Sequence, residues 1–221
     1  MKVIVTTSNK YHHLLPVFCF LFNKYWSKYQ QVEIVGYDAS SIMLPANFSF
    51  HSMGEQGDVK EWSTDLRKYF GQQDDRFIWL MEDTFIKAPV NHFLYGALQA
   101  YSEDENVGRV NLTIETLKQL HRPYENGLLC NMYLNLQTAK YRLSTQPSIW
   151  NKKFLLQYLT DGLTPWEFET QASTNDGWKV LGPDQNAVFH NEGVRRHNIH
   201  ALNLDGIDPE VIEEMKTLNI L

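Results

Sequence analysis

Two acids, Glu82 and Asp83, follow directly on the run Phe77-Ile78-Trp79-Leu80-Met81. Five consecutive apolar residues read as a strand buried on both faces, so the acidic pair is held where a core strand surfaces. Like charges there repel unless something positive lies close. A hard divalent cation, its shell completed by diphosphate oxygens, would resolve that repulsion. The competing reading is two acids at a strand end, one capping and one solvated. Two further polar groups sit at the ends of apolar runs: Thr6-Thr7-Ser8 after Val3-Ile4-Val5, and Asp38 after Val32 to Tyr37. In open α/β sheets, ligands bind beyond the carboxyl ends of the strands. Hydroxyls and backbone N–H groups at Thr6 and Thr7 suit a nucleotide, and Asp38 suits a ribose or base hydrogen. The same residue types also favour plain turns and helix caps.

These groups need a framework, and the first half of the chain supplies an alternating one. Strands are predicted at 3–5, 32–37, 77–81 and 107–112, with a short one near 48–50. Helices are predicted at 11–29, 58–70 and 91–101. In the second of these, Val59, Trp62, Leu66 and Tyr69 or Phe70 fall on one side and Gly71 suits the stop. This alternation is the βαβ signature of a parallel sheet with helices on both faces. The second half is less regular. It reads as a strand at 134–141, a helix at 148–160 and a helix opened by Thr164-Pro165, where Thr164 and Glu167 make a capping box. A strand within 180–189 and a helix at 210–218, opened by Asp208-Pro209, complete it. No repeat, low-complexity stretch or linker interrupts the chain, which predicts one α/β domain over 1–221.

Composition narrows the function classes. The chain has 221 residues, 43% of them hydrophobic and 13% aromatic, which is ordinary globular usage. Lys and Arg total 20 against 26 Asp and Glu, a formal charge of -6 that argues against binding nucleic acid through its phosphates. Two cysteines cannot build a disulfide framework, and Cys19 lies in an apolar run as a core residue. The start, Met1-Lys2-Val3-Ile4-Val5, reads as a strand and not as a leader. The most apolar segment, Leu14 to Phe22, contains Pro16 and is too short for a transmembrane segment. The expectation is a soluble, cytoplasmic protein.

The stretch Trp62-Ser63-Thr64-Asp65-Leu66-Arg67-Lys68-Tyr69, a polar linker, and then Phe77 to Phe85 resembles the nucleotide-sugar half of GT-A-type glycosyltransferases. A second block is similar to the acceptor half of bacterial and viral-type members. It comprises Gln146-Pro147-Ser148-Ile149-Trp150-Asn151-Lys152-Lys153-Phe154-Leu155 and then Thr164 to Glu169. The resemblance covers most of residues 1 to 200. It implies a GT-A-like single domain with a mostly parallel, Rossmann-like sheet. In it, 1–112 would be the nucleotide-sugar-binding half, and 113–221 the acceptor half with a C-terminal helix. It also implies sugar transfer from a nucleoside diphosphate sugar donor to a carbohydrate or glycan acceptor.

In that fold a strand ends in Asp-x-Asp or a variant, which holds Mn²⁺ or Mg²⁺ against the diphosphate. Here Glu82-Asp83-Thr84-Phe85 departs from the pattern, so Asp83 alone maps as a ligand and a metal-independent variant stays open. The resemblance adds His190 as a late metal ligand and places Asp38, Asp65 and Glu82 near the nucleoside with Thr6 and Thr7. For Asp65, pairing with Lys68 is the plain competitor. Arg195, in a basic group with Arg196, His197 and His200, suits a diphosphate leaving group. A transferase also needs a carboxylate to take the acceptor hydroxyl proton. Glu169 is preferred to Glu167, which a capping box already explains. Gln146, extended before Pro147, would hydrogen-bond a sugar, and Trp150 and Trp166 would stack on one, with core packing as their alternative. Two other functions compete. One is a metal-dependent nucleotidyltransferase or phosphodiesterase, which no Gly-rich phosphate loop supports. The other is a non-catalytic sugar- or nucleotide-binding protein of the same fold.

Overall fold

The computed structural model describes residues 1–38, 43–171, 175–195 and 198–221, and of Arg195 only the backbone. In chain order the strands begin with β1 Lys2–Thr6, β2 Val32–Gly36, β3 Phe48–Ser52, β4 Arg76–Met81, β5 Thr84–Ile86 and β6 Val107–Asn111. They continue with β7 His121–Asn126, β8 Asn131–Asn135, β9 Ser148–Asn151, β10 Lys179–Pro183, β11 His190–Glu192, β12 Val194–Arg195 and β13 Asn198–Leu202. The α-helices are α1 Leu15–Phe22, α2 Glu61–Gly71, α3 His92–Ser102, α4 Lys152–Tyr158, α5 Pro165–Thr170 and α6 Pro209–Thr217. The chain is a mixed α/β protein with multi-stranded sheet flanked by helices. It divides into two compact units that cut across the halves 1–112 and 113–221. The first unit joins 2–56, 80–90 and 188–221, and the second joins 57–79 and 91–187.

In the first unit β1, β2 and β3 run parallel, with Val3 opposite Val32 and Ile34 opposite Phe50. Val3, Ile4, Val5, Ile34 and Val35 are buried, as a strand with two covered faces requires. The predicted helix over 11–29 is divided. A 3₁₀ stretch Asn9–Leu14 leads into α1, and a π turn Asn23–Ser27 follows it. Pro16 explains where α1 begins, because a residue without an N–H is tolerated only in a first turn. Phe22 stacks on Trp26 at 5.2 Å and meets Phe48 edge-on at 5.7 Å. β5 pairs antiparallel with β11.

In the second unit β9 pairs antiparallel with both β4 and β6. β6 pairs parallel with β10, which pairs antiparallel with β8, and β8 in turn with β7. The mostly parallel expectation therefore fits the β1–β2–β3 sheet and not the second unit. Two of the antiparallel pairings come from β9. Ser148-Ile149-Trp150-Asn151 is a fully buried strand, not the start of the helix predicted over 148–160. The helix begins only where the Asn151 side chain accepts from the N–H groups of Lys153 (2.8 Å) and Phe154 (3.4 Å). The strand expected at 134–141 is instead β8, the second arm of a hairpin with β7. The core of this unit is aromatic: Phe70 stacks on Phe77 at 4.9 Å, and Trp79 meets Trp150 at 5.5 Å. Among the described residues no helix is long and apolar enough to cross a membrane.

Candidate functional site

The ends of β1 and β2 in the first unit gather the polar groups singled out from sequence. The Thr7 N–H donates to the Val35 carbonyl at 2.9 Å, and the Met53 N–H to the Gly36 carbonyl at 2.7 Å. A Cβ at Gly36 would lie 2.8 Å from Thr7 Cγ2 and 3.0 Å from Phe50 Cζ, so only glycine lets the Thr7 loop sit this close. The Glu82 N–H donates to the Thr6 carbonyl at 3.2 Å, bringing the acidic pair beside the end of β1. Asp38 is exposed, and its N–H donates to Asn9 Oδ1 at 3.0 Å. Thr6 and Thr7 are buried. Their hydroxyls donate to Met81 Sδ at 3.2 Å and the Ser8 carbonyl at 3.4 Å.

Glu82 is 3% exposed, and its Oε2 has no hydrogen-bond partner. Burial, reinforced by the Asp83 charge, pushes its carboxyl well above the usual range. The N–H groups of Glu82 and Ser8 and the Lys10 charge oppose that shift. Ser8 Oγ and His12 Nε2 are likewise buried without partners. Burial lowers His12, against the pull of Asp38, and its ring meets Phe50 edge-on at 6.2 Å. Buried polar atoms left unpaired are costly and few in native proteins. Three of them come from one loop and the adjoining strand end. Ser8 was read together with Thr6 and Thr7, whereas Lys10 was not visible in sequence, because the 3₁₀ stretch Asn9–Leu14 carries no amphipathic period.

Asp83 is fixed through its backbone: its carbonyl accepts from the Gly193 N–H at 2.6 Å. A Cβ at Gly193 would lie 2.8 Å from the Phe85 ring, so this approach also needs glycine. In the β5–β11 ladder His190 faces Ile86 and Glu192 faces Thr84. That register staggers His190 from the residue bonded to Asp83 by three positions, about 10 Å of strand, instead of setting the two side by side. Among the described residues no group of three or more His, Cys, Asp or Glu is arranged to hold a metal ion. The Arg195 side chain, Arg196 and His197 lie outside the described residues. His200 is described, with its ring 5.9 Å from that of His13.

The remaining predicted residues belong to the second unit. Asp65 lies on α2 with Lys68 Nζ 3.7 Å away, as the plain reading expected. Trp150 is a correction: it is 0% exposed, with the Arg109 guanidinium 4.9 Å over its ring and Phe154 stacked at 6.0 Å. It sits on the central strand of an aromatic core and offers no face to a sugar. Gln146 is half-buried, its N–H donating to Ser144 Oγ at 3.3 Å and its carbonyl accepting from Ser148 Oγ at 2.7 Å. Glu167 completes the capping box. Its Oε2 accepts from the Thr164 N–H at 2.8 Å, and hydrogen bonds with Thr164 hold its carboxyl below the usual range. Glu169 Oε1 accepts from both the N–H (2.5 Å) and Oγ1 (2.6 Å) of Thr145. Its charge also opposes the effect of burial on Arg109, which is pulled down to about 9. Trp166 is 63% exposed, with Tyr141 at 5.9 Å.

No family model matches the chain. No curated protein matches it either. Among solved structures it is similar to S. aureus TarS 1-349, with a TM-score of 0.49 and 13% identity, over 84% of this chain and 58% of that one. It is also similar to the galactosyltransferase LgtC in complex with donor and acceptor sugar analogues, with a TM-score of 0.40 and 9% identity, over 71% of this chain and 60% of that one. The chain thus spans less than two thirds of the length of either. At these scores the two likenesses decide nothing about the chemistry, which rests on the strand-end cluster itself.

Proposed function

We propose that the chain is a glycosyltransferase moving a sugar from a nucleoside diphosphate sugar to a carbohydrate acceptor. The observation that carries this reading is the cluster in the first unit, where Ser8 Oγ, His12 Nε2 and Glu82 Oε2 are buried and unpaired beside Asp83. A nucleoside presents hydrogen-bonding edges to such atoms, and Thr6, Thr7 and Asp38 border the same strand ends. The phosphates fall to Lys10, whose charge already reaches Glu82, and to Arg195. Asp83 supplies a hard oxygen donor for Mn²⁺ or Mg²⁺ arriving with the diphosphate. When bound, such an ion neutralises charge on the departing diphosphate.

The acceptor is assigned to the second unit. Glu169 is the base: Thr145 fixes Oε1, and no described residue donates to Oε2, which takes the acceptor hydroxyl proton. Glu167 is the alternative base, its carboxylate already engaged in the Thr164 capping box. Gln146 and Trp166 contact the acceptor.

Thermal denaturation against a panel of nucleoside diphosphates, with and without Mn²⁺, tests the reading. Ligand at a hundredfold excess over Kd stabilises the native state by about 2.7 kcal/mol. The expected outcome is a Mn²⁺-dependent rise in Tm with one nucleotide. That rise is lost in Asp83→Asn, and it persists in Glu169→Gln while sugar transfer disappears. A flat Tm across the panel overturns the proposal.

A further inference from the structure

Tyr141 has φ 59°, in the left-handed region that a bulky side chain rarely enters. Its surroundings enforce the conformation. Its carbonyl accepts from Gln119 Nε2 at 3.1 Å and from the Ser144 N–H at 2.9 Å. The next residue, Arg142, is buried and donates to Asp176 at 2.9 Å and to the Trp178 carbonyl at 2.6 Å. Gly or Asn would hold this backbone at less cost, so the turn itself gives no reason for tyrosine.

What the conformation does is present a ring. The Tyr141 ring stands edge-on to Trp166, 5.9 Å away, and the Lys140 ammonium lies 5.1 Å over it. Trp166 is the second residue of α5, and Glu169 follows three positions later on the same helix face. The 141–145 loop therefore meets α5 twice along one seam. Ring meets ring at one end, and Thr145 meets the Glu169 carboxylate at the other. The seam combines an exposed indole face, held upright by a second ring, with a fixed carboxylate whose Oε2 is open to hydroxyl donors. An apolar flat face beside a planar acceptor matches the two sides of a pyranose, its C–H face and its hydroxyl rim.

We infer that Tyr141 and Trp166 form a stacking platform for a pyranose ring of the acceptor, with Tyr141 held in a strained backbone in order to brace the indole. The inference rests on the acceptor role proposed above for Trp166 and deepens it. Trp26, Trp79 and Trp150 are buried, and Trp62 and Trp178 half-buried, so iodide quenching of tryptophan fluorescence reports chiefly on Trp166.

The experiment adds neutral cello-, malto- and chito-tetrasaccharides in turn, without nucleotide, and measures protection from iodide. At least one is expected to protect, and Trp166→Phe should remove the signal. Tyr141→Gly separates function from structure: its Tm should equal or exceed that of the parent, because the strain is relieved. Its sugar affinity should be about tenfold weaker, the scale of a lost aromatic pair. Protection by none of the sugars, or a Tyr141→Gly protein that loses stability and keeps its affinity, overturns the platform. Sugar protection without any nucleotide-induced rise in Tm would instead keep the platform and remove the transferase reading.

Discussion

Asp176 shows how single residues hold the second unit together. Its carboxylate accepts from Arg142 Nη1 at 2.9 Å and Nη2 at 3.3 Å, from the Trp178 N–H at 2.9 Å and from the Tyr158 hydroxyl. Both side chains of the Arg142–Asp176 pair are 0% exposed. Burial by itself would raise Asp176, but the hydrogen bonds from Arg142 and Tyr158 outweigh it and hold the carboxyl below its usual range. A depressed acid contributes stability above its unfolded value and loses it as pH falls through the folded one. Asp176→Ala should therefore cost about 3–5 kcal/mol at neutral pH, since it strands a buried guanidinium. Denaturant titrations should show the gap from wild type narrowing once the pH drops below the ordinary carboxylate range. None of this was legible in the sequence, because the pairing joins residues 34 apart across an irregular stretch. Glu167 was legible, since both halves of its capping box lie within one turn.

At the scale of elements, what could be read depended on how closely a segment's pattern matched one period. β1, β2 and β4 are apolar runs that stop at polar residues, and all three were expected. β9 was hidden because Ile149, Trp150, Phe154 and Leu155 also suit a helical face, and the Asn151 cap in mid-run was the available counter-signal. β7 was missed because nearly all its residues are exposed and Pro123 interrupts the ladder at a bulge, as suits an outer strand. The parallel strands make one element-scale prediction. Gly36→Ala forces Thr7 Cγ2 and the Phe50 ring away from their present contacts. Overpacking of this kind should cost about 1–3 kcal/mol. It should also weaken the nucleotide-dependent rise in Tm, because the displaced loop carries Thr7 and Ser8.

Over the whole molecule, the two units draw on the chain differently. The second lies almost wholly between 57 and 187, whereas the first needs 2–56, 80–90 and 188–221 together. The ties are long: Lys24 Nζ meets Glu214 Oε2 at 2.6 Å across 190 positions, and the His13 ring reaches the Ile199 carbonyl across 186. β11 must arrive before β5 has a partner. No local sequence signal announces such closures, which is why a single continuous domain was the natural expectation.

That interleaving sets an order of events during synthesis. When residue 187 leaves the ribosome, every segment of the second unit is available, while β5 is unpaired and α1 lacks α6. At about 5–20 residues per second, residues 188–221 take a few seconds more. For that interval the apolar start of the chain stays exposed to proteases, aggregation and chaperones. Stalled nascent chains whose residue 187 has just emerged should show protease cleavage within 2–56 and resistance within 91–187, with full resistance only once residue 221 has emerged. Equal resistance of the two regions in the shorter chain would mean that the first unit closes without its last segment. Where the first unit does wait for 188–221, the strand ends proposed to hold the nucleotide are among the last parts of the protein to form, and substitutions in 188–221 lower the yield of folded protein before they change any rate.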